Sequence, residues 1–127
     1  MRALLDTSFF VADESGRPLG EMPGVTETEV SVITISELTV GVLVASDSDR
    51  SGRVATLSAV ESAWDPLPVT GEVAREFARI VADLSARRRR GPILDALVAA
   101  TAIVEQIPVV TQDQDYEAIP GLEVIRV

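Results

Sequence analysis

Ala3-Leu4-Leu5-Asp6-Thr7-Ser8 is a short apolar run that stops at an acid and opens into a helix-forming segment. The order strand, acid, helix in this segment sets the pattern for the whole chain. Three apolar residues bounded in this way read as a buried strand, and residues 7 to about 13 as the helix that follows. The same grammar recurs along the chain. Val30-Ser31-Val32-Ile33 reads as a second strand, and Thr34-Ile35-Ser36-Glu37 matches a capping box opening a helix through Leu38, Val42 and Leu43. Val109-Val110-Thr111 reads as a further strand that leads to Asp113. Strands alternating with helices over the whole length predict an α/β architecture.

The remaining segments fit that frame. Residues 14–24 hold three Gly and two Pro and read as a loop, and residues 47–53 as a polar turn. Val54, Leu57 and Val60, spaced by three, mark a helix, and Trp64-Asp65-Pro66-Leu67-Pro68-Val69 a proline-limited strand near a sheet edge. Thr70-Gly71 starts an amphipathic helix with Val73, Phe77, Ile80, Val81 and Leu84 on its core face. That helix is expected to run into Arg87-Arg88-Arg89-Arg90 and stop near Gly91, with Pro92 in the first turn of the next helix, 93 to about 105. Leu122-Glu123-Val124-Ile125 reads as a fifth strand. At 127 residues the expectation is one domain spanning 1–127.

Composition narrows the chemistry. The chain contains no His, no Cys and no Lys. An imidazole base, a thiol nucleophile, a Cys/His zinc site and a lysine Schiff base are therefore excluded. No apolar stretch is long enough to span a bilayer, and without disulfides a soluble cytoplasmic protein is the simplest reading. The net charge of −9 argues against non-specific nucleic-acid binding, which depends on neutralising phosphates. All eleven basic residues are Arg, however, and Arg87, Arg88, Arg89 and Arg90 form one run. It reads either as a solvated helix end or as a phosphate- or partner-binding patch.

Four carboxylates, Asp6, Glu37, Asp95 and Asp113, each fall where an apolar run meets a helix start. Singly, each has an ordinary role: Asp6 as an N-cap, Glu37 as the capping-box partner, Asp95 beside a helix dipole, Asp113 in an Asx-turn. Together they point elsewhere. In an open α/β sheet, ligands bind beyond the carboxyl ends of the strands, and Asp6, Glu37 and Asp113 all follow predicted strands. Asp95 lies in a helix apolar on nearly every side, where a charge is costly without a partner. Two unit charges about 5 Å apart repel by roughly 3 kcal/mol at an effective dielectric near 20. A cluster of four such acids must take up protons or bind cations, and oxygen ligands suit Mg²⁺ or Mn²⁺. Such an ion facing a phosphodiester activates water and stabilises the leaving oxygen.

These residues resemble the motifs of PIN-domain nucleases. Leu4-Leu5-Asp6-Thr7-Ser8 is similar to their first motif and Ile35-Ser36-Glu37-Leu38-Thr39-Val40-Gly41 to their second. Arg90-Gly91-Pro92-Ile93-Leu94-Asp95-Ala96-Leu97-Val98-Ala99-Ala100-Thr101-Ala102 resembles the third, and Val110-Thr111-Gln112-Asp113-Gln114-Asp115-Tyr116 the fourth. Order, spacing and length fit the small toxins of the VapC type. The resemblance implies a three-layer fold with a short, mostly parallel central sheet flanked by helices. It implies a Mg²⁺- or Mn²⁺-dependent ribonuclease, the toxin of a toxin–antitoxin pair, forming homodimers and blocked by a cognate antitoxin.

On this chain the resemblance makes Asp6 and Asp95 the principal metal ligands, with Glu37 and Asp113 completing the site directly or through water. Ser8 and Thr111 would orient Asp6 and Asp113. Asp115 competes with Asp113 for the metal, or is a solvated turn residue. Two departures stand out: the Gly/Pro-rich residues 14–24, where many relatives continue in helix, and Tyr116, where Phe is commoner. The Arg87–Arg90 run becomes the leading candidate for contact with RNA phosphate or with an antitoxin's acids.

Other acidic-pocket folds fit less well. A phosphoryl-accepting receiver domain needs a lysine, and a haloacid-dehalogenase-type phosphatase needs a second Asp two residues after the first, where this chain has Ser8. A non-catalytic PIN scaffold, or a PIN nuclease acting on DNA or a ribosomal RNA precursor, are the alternatives to a toxin ribonuclease.

Overall fold

A computed structural model describes residues 1–87 and 92–127. Strand β1 (Arg2–Leu5) leads into helix α1 (Thr7–Glu14), and β2 (Glu27–Glu29) into α2 (Val32–Leu43). Helices α3 (Asp47–Ala63), α4 (Gly71–Ala86) and α5 (Ile93–Glu105) follow. Then come β3 (Val109–Thr111), a 3-10 helix (Gln114–Ala118) and β4 (Val124–Arg126). The described strands form one sheet in the order β2-β1-β3-β4, parallel throughout. A parallel sheet needs crossovers, and the helices supply them on both faces.

The side-chain alternation of β1 and β3 divides the core into two layers. Leu4 pairs in register with Val109, and both face α4 and α5, packing in the cluster with Ile80, Leu84 and Ala99. Leu5 pairs with Val110, and with Ala3 both face the opposite side, packing with Phe10, Leu38 and Val60 from α1, α2 and α3. The result is the three-layer arrangement expected, with the acids carried at the layer boundary.

Several expectations are corrected. The second strand is not Val30–Ile33 but the polar Glu27–Glu29. Ser31 instead N-caps α2, accepting from Ile33 N at 3.0 Å, so the helix begins before Thr34 and the capping box does not form. An edge strand half-open to solvent needs no apolar run, and a β-branched run can open a buried helix instead. Residues 47–53 are not a turn but the first turns of α3, where Asp47 and Asp49 favour the helix dipole. The expected strand at 64–69 reduces to a single bridge between Ser31 and Leu67, since Pro66 and Pro68 lack the N–H a ladder needs. Trp64 instead ends α3, stacks edge-on against Phe10 at 5.4 Å and donates Nε1–H to the Thr28 carbonyl at 3.0 Å. The last strand starts two residues later than read and ends one later, at Val124–Arg126. Pro92 stands at the N-cap of α5 rather than inside it.

Helix α4 matches its amphipathic pattern with one exception. Val73, Ile80 and Leu84 are buried, whereas Val81, one step of about 100° past Ile80, is 38% exposed. The helix ends at Ala86 with Arg87 as its C-cap, and the expected stop near Gly91 lies outside the described residues. At its start Thr70 Oγ1 accepts from Val73 N at 3.2 Å. Thr70→Ala is expected to cost about 1 kcal/mol in urea denaturation, the usual worth of such a cap. In the loop after α1, Gly16 and Gly24 take φ of 72° and 77°, which only glycine adopts without strain. Among the described residues no helix is long and apolar enough to cross a membrane.

Candidate functional site

Parallel strands deliver their carboxyl ends to one rim, and two of the acids arrive this way. Asp6 follows β1, its N–H bonded to Val110 O at 2.9 Å, and Asp113 follows β3. Asp95 comes from the first turn of α5. Glu37 does not follow a strand. It lies inside α2, more than one turn past Val32, and reaches the rim from the helix side.

Asp6 is 3% exposed, and hydroxyl groups surround its carboxylate. Ser8 Oγ accepts from Gln112 N at 3.0 Å and Thr111 Oγ1 accepts from Asp113 N at 2.9 Å. The two hydroxyls lie 3.1 Å apart, but the carboxylate is the stronger acceptor, and each donates its one hydrogen to Asp6 Oδ2, at 2.8 Å from Ser8 and 2.9 Å from Thr111. The helix-capping contact, Ser8 N to Asp6 Oδ2, is long at 3.4 Å. On the other oxygen, Tyr116 Oη donates to Asp6 Oδ1 at 2.8 Å and lies 3.3 Å from Asp95 Oδ1. Burial, and then the charges of Asp6 and Asp95, hold the phenol far above its ordinary pKa, so it remains a donor.

Asp95 carries the largest perturbation among the described carboxylates. Burial and the like charges of Asp6, Asp113 and Glu37 push its pKa up to about 7. Its carboxylate gathers with those of Asp113 and Asp115, one oxygen from each lying within 4.8 Å of the others. Asp113 is partly buried and accepts from Asp115 N at 2.9 Å, so its Asx role is also realised, while Asp115 is exposed. Of the two, Asp113 is the one whose charge helps to raise the Asp95 pKa.

Glu37 stands at the edge of this group. It accepts from Thr7 Oγ1 at 2.8 Å, and Thr7 Oγ1 lies 3.1 Å from the hydroxyl of the fully buried Thr34. Burial raises its pKa, the Thr7 bond opposes the rise and Asp6 adds to it. Arg87 is ion-paired with Asp83 on its own helix, and Arg88, Arg89 and Arg90 lie outside the described residues.

Two polar residues of the candidate site, Thr7 and Thr34, were not singled out from the sequence, and Tyr116 was noted only as a departure from Phe. Thr34 carried a signal, since it precedes Glu37 by three and so shares its helix face. Tyr116 carried one too, in the hydroxyl it adds where Phe is commoner.

The donor set fits a hard divalent cation. Asp6, Glu37, Asp95, Asp113 and Asp115 bring five carboxylates to the rim, several of which crowd one another, and Asp6 is oriented by three hydroxyl donors as a ligand is.

The sequence matches the PIN domain family over residues 3–122. It is 43% identical to Ribonuclease VapC5 of Mycobacterium tuberculosis, over 98% of this chain and 94% of that protein. It is 38% identical to Ribonuclease VapC4 of the same organism, over 99% and 97%. The structure is similar to the crystal structure of VapBC-5 from Mycobacterium tuberculosis, a member of the VapBC family of toxin–antitoxin systems. That likeness has a TM-score of 0.84 at 39% identity and covers 99% of this chain and 98% of the other.

Proposed function

This chain belongs to the PIN-domain family, and on that premise we propose that it is a metal-dependent endoribonuclease, the toxin of a toxin–antitoxin pair. The observation that carries the reading is the meeting of Asp6 and Asp95 on one buried hydroxyl, with Asp113 beside Asp95. Among the described residues no ion pair offsets such crowding, which raises the free energy of the folded state until a cation does.

Asp6 and Asp95 would hold Mg²⁺ or Mn²⁺, with Asp113 and Glu37 completing the site directly or through water. When bound, the ion supplies an activated water and a counter-charge for the leaving oxygen. The chain itself supplies orientation. Ser8 and Thr111 fix the plane of Asp6, and Thr111 also anchors the Asp113 backbone. Thr7 holds Glu37 at the rim, where a partly buried carboxylate of raised pKa is suited to take a proton from water. Asp115 is an exposed reserve for the same cluster. The partners are an RNA, a cognate antitoxin and a second copy of the chain, meeting in the cytoplasm. The Arg87–Arg90 run is the leading candidate for contact with RNA phosphate or an antitoxin's acids.

The expected result is that protein freed of antitoxin cuts RNA at a few sites when Mg²⁺ or Mn²⁺ is present, and stops when EDTA removes the ion. Sequencing of RNA 5′ ends after induced expression locates those sites. Cleavage that continues in EDTA would remove the metal from the reading.

A further inference from the structure

We propose that Tyr116 is a positioning residue that limits Asp6 to a single open metal-binding lone pair and sets its spacing from Asp95. The proposal rests on the reading of the rim acids as a metal site.

A carboxylate offers about four lone-pair positions. On Asp6, two at Oδ2 are filled by Ser8 and Thr111, and one at Oδ1 by Tyr116. One position is left, at Oδ1. Asp6 is thereby a monodentate ligand with a fixed direction. The same phenol oxygen stands 3.3 Å from Asp95 Oδ1, so one donor ties together two acids from distant elements, β1 and α5. Phenylalanine fills the same volume but leaves Oδ1 two open positions and removes the tie.

Tyr116 is built to hold that place. It is fully buried in the cluster with Leu4, Ala99 and Val109, so the ring has no freedom to swing the hydroxyl away. The 3-10 helix that carries it is itself capped by Asp113, whose Oδ1 accepts from Asp115 N. Asp113, Tyr116 and Asp6 are thus parts of one rigid unit rather than separate contributors.

The test is Mn²⁺ binding by isothermal calorimetry on the intact protein, wild type against Tyr116→Phe, with circular dichroism to confirm the fold. Loss of a hydrogen bond that orients a metal ligand typically weakens binding about 10–100-fold, and about ten-fold is expected here. If wild type binds Mn²⁺ and the variant matches it within about two-fold, the positioning role is overturned while the metal site stands. If wild type binds none, the metal reading fails and this proposal with it. A second measurement does not depend on the variant folding. The chain has one tyrosine, so ¹³Cζ-tyrosine labelling gives a single NMR line. That line is expected to shift as Mg²⁺ is added, with its midpoint at the calorimetric Kd. A line unmoved at saturation overturns the proposal.

Discussion

Asp95→Asn is expected to lower RNA cleavage by about 10³-fold or more, since loss of a metal-holding carboxylate forfeits several kcal/mol of transition-state stabilisation. The metal-free variant is expected at the same time to be more stable than wild type. The two effects have one cause. The Asp95 pKa is raised from its ordinary 3.8 to about 7 by burial first and then by Asp6, Asp113 and Glu37. The folded state therefore holds a proton that the unfolded chain has already released. Stability from this group is complete below the unfolded value and is lost as pH rises through the folded value near 7. Asparagine mimics the protonated acid and does not titrate. The gap in thermal midpoint between Asp95→Asn and wild type is expected to be small near pH 5 and larger near pH 8, both in EDTA. Saturating Mg²⁺ is expected to narrow it by stabilising wild type alone. A variant that cuts RNA as well as wild type would overturn the ligand assignment. A variant of unchanged stability near pH 8 would mean that Asp95 is not crowded by charge.

The second large effect concerns the sheet. Leu4 lies on β1, an interior strand of the four, is fully buried and packs against the α4 and α5 layer. Leu4→Ala removes buried methyl groups and leaves a cavity that paired strands cannot collapse to fill. The expected cost is about 3 kcal/mol, within the range of about 2–5 for such truncations. Against a total stability of about 5–15 kcal/mol this is a large share. Urea denaturation should show a lower midpoint with an unchanged slope. Leu43→Ala, at a position 74% exposed on α2, is the control and is expected to stay within about 0.5 kcal/mol. Equal midpoints for the two variants would contradict the layer assignment. Because Asp6 is two residues beyond Leu4 on the same extended segment, Leu4→Ala is also expected to loosen the rim.

The sequence disclosed the site more fully than the topology. Asp6 and Asp113 were legible because a buried strand of three or four apolar residues leaves a clear boundary, and the acid sits on it. Asp95 was legible because a charge in the Ala- and Val-rich α5 has no surface reason. Glu37 was expected at the rim because it follows a predicted strand, but that strand does not form, and the residue reaches the rim from inside α2, which Ser31 rather than Thr34 opens. The polar β2 was missed because Glu27-Thr28-Glu29 lies half-open at a sheet edge, where burial leaves no apolar signature. The start of α3 was missed because its exposed face is all Ser, Asp, Arg and Gly, residues that also make turns. Tyr116 was noticed only as a minor departure. A hydroxyl has no meaning in a linear string until its two acids, one of them 110 residues earlier, are placed beside it.

The pairing of β1 with β3 also carries a consequence in time. Asp6 and Thr111 are 105 residues apart, and β1, which lies between β2 and β3, leaves the ribosome before either of them. Synthesis runs from the N-terminus at about 5–20 residues per second, so β1 waits several seconds for its neighbour. Until Tyr116 has emerged, the nascent chain carries its acids on separate, unjoined segments. The rim forms only when β1, α5 and β3 have come together, so a partner that recognises it recognises the folded chain rather than any one of its segments.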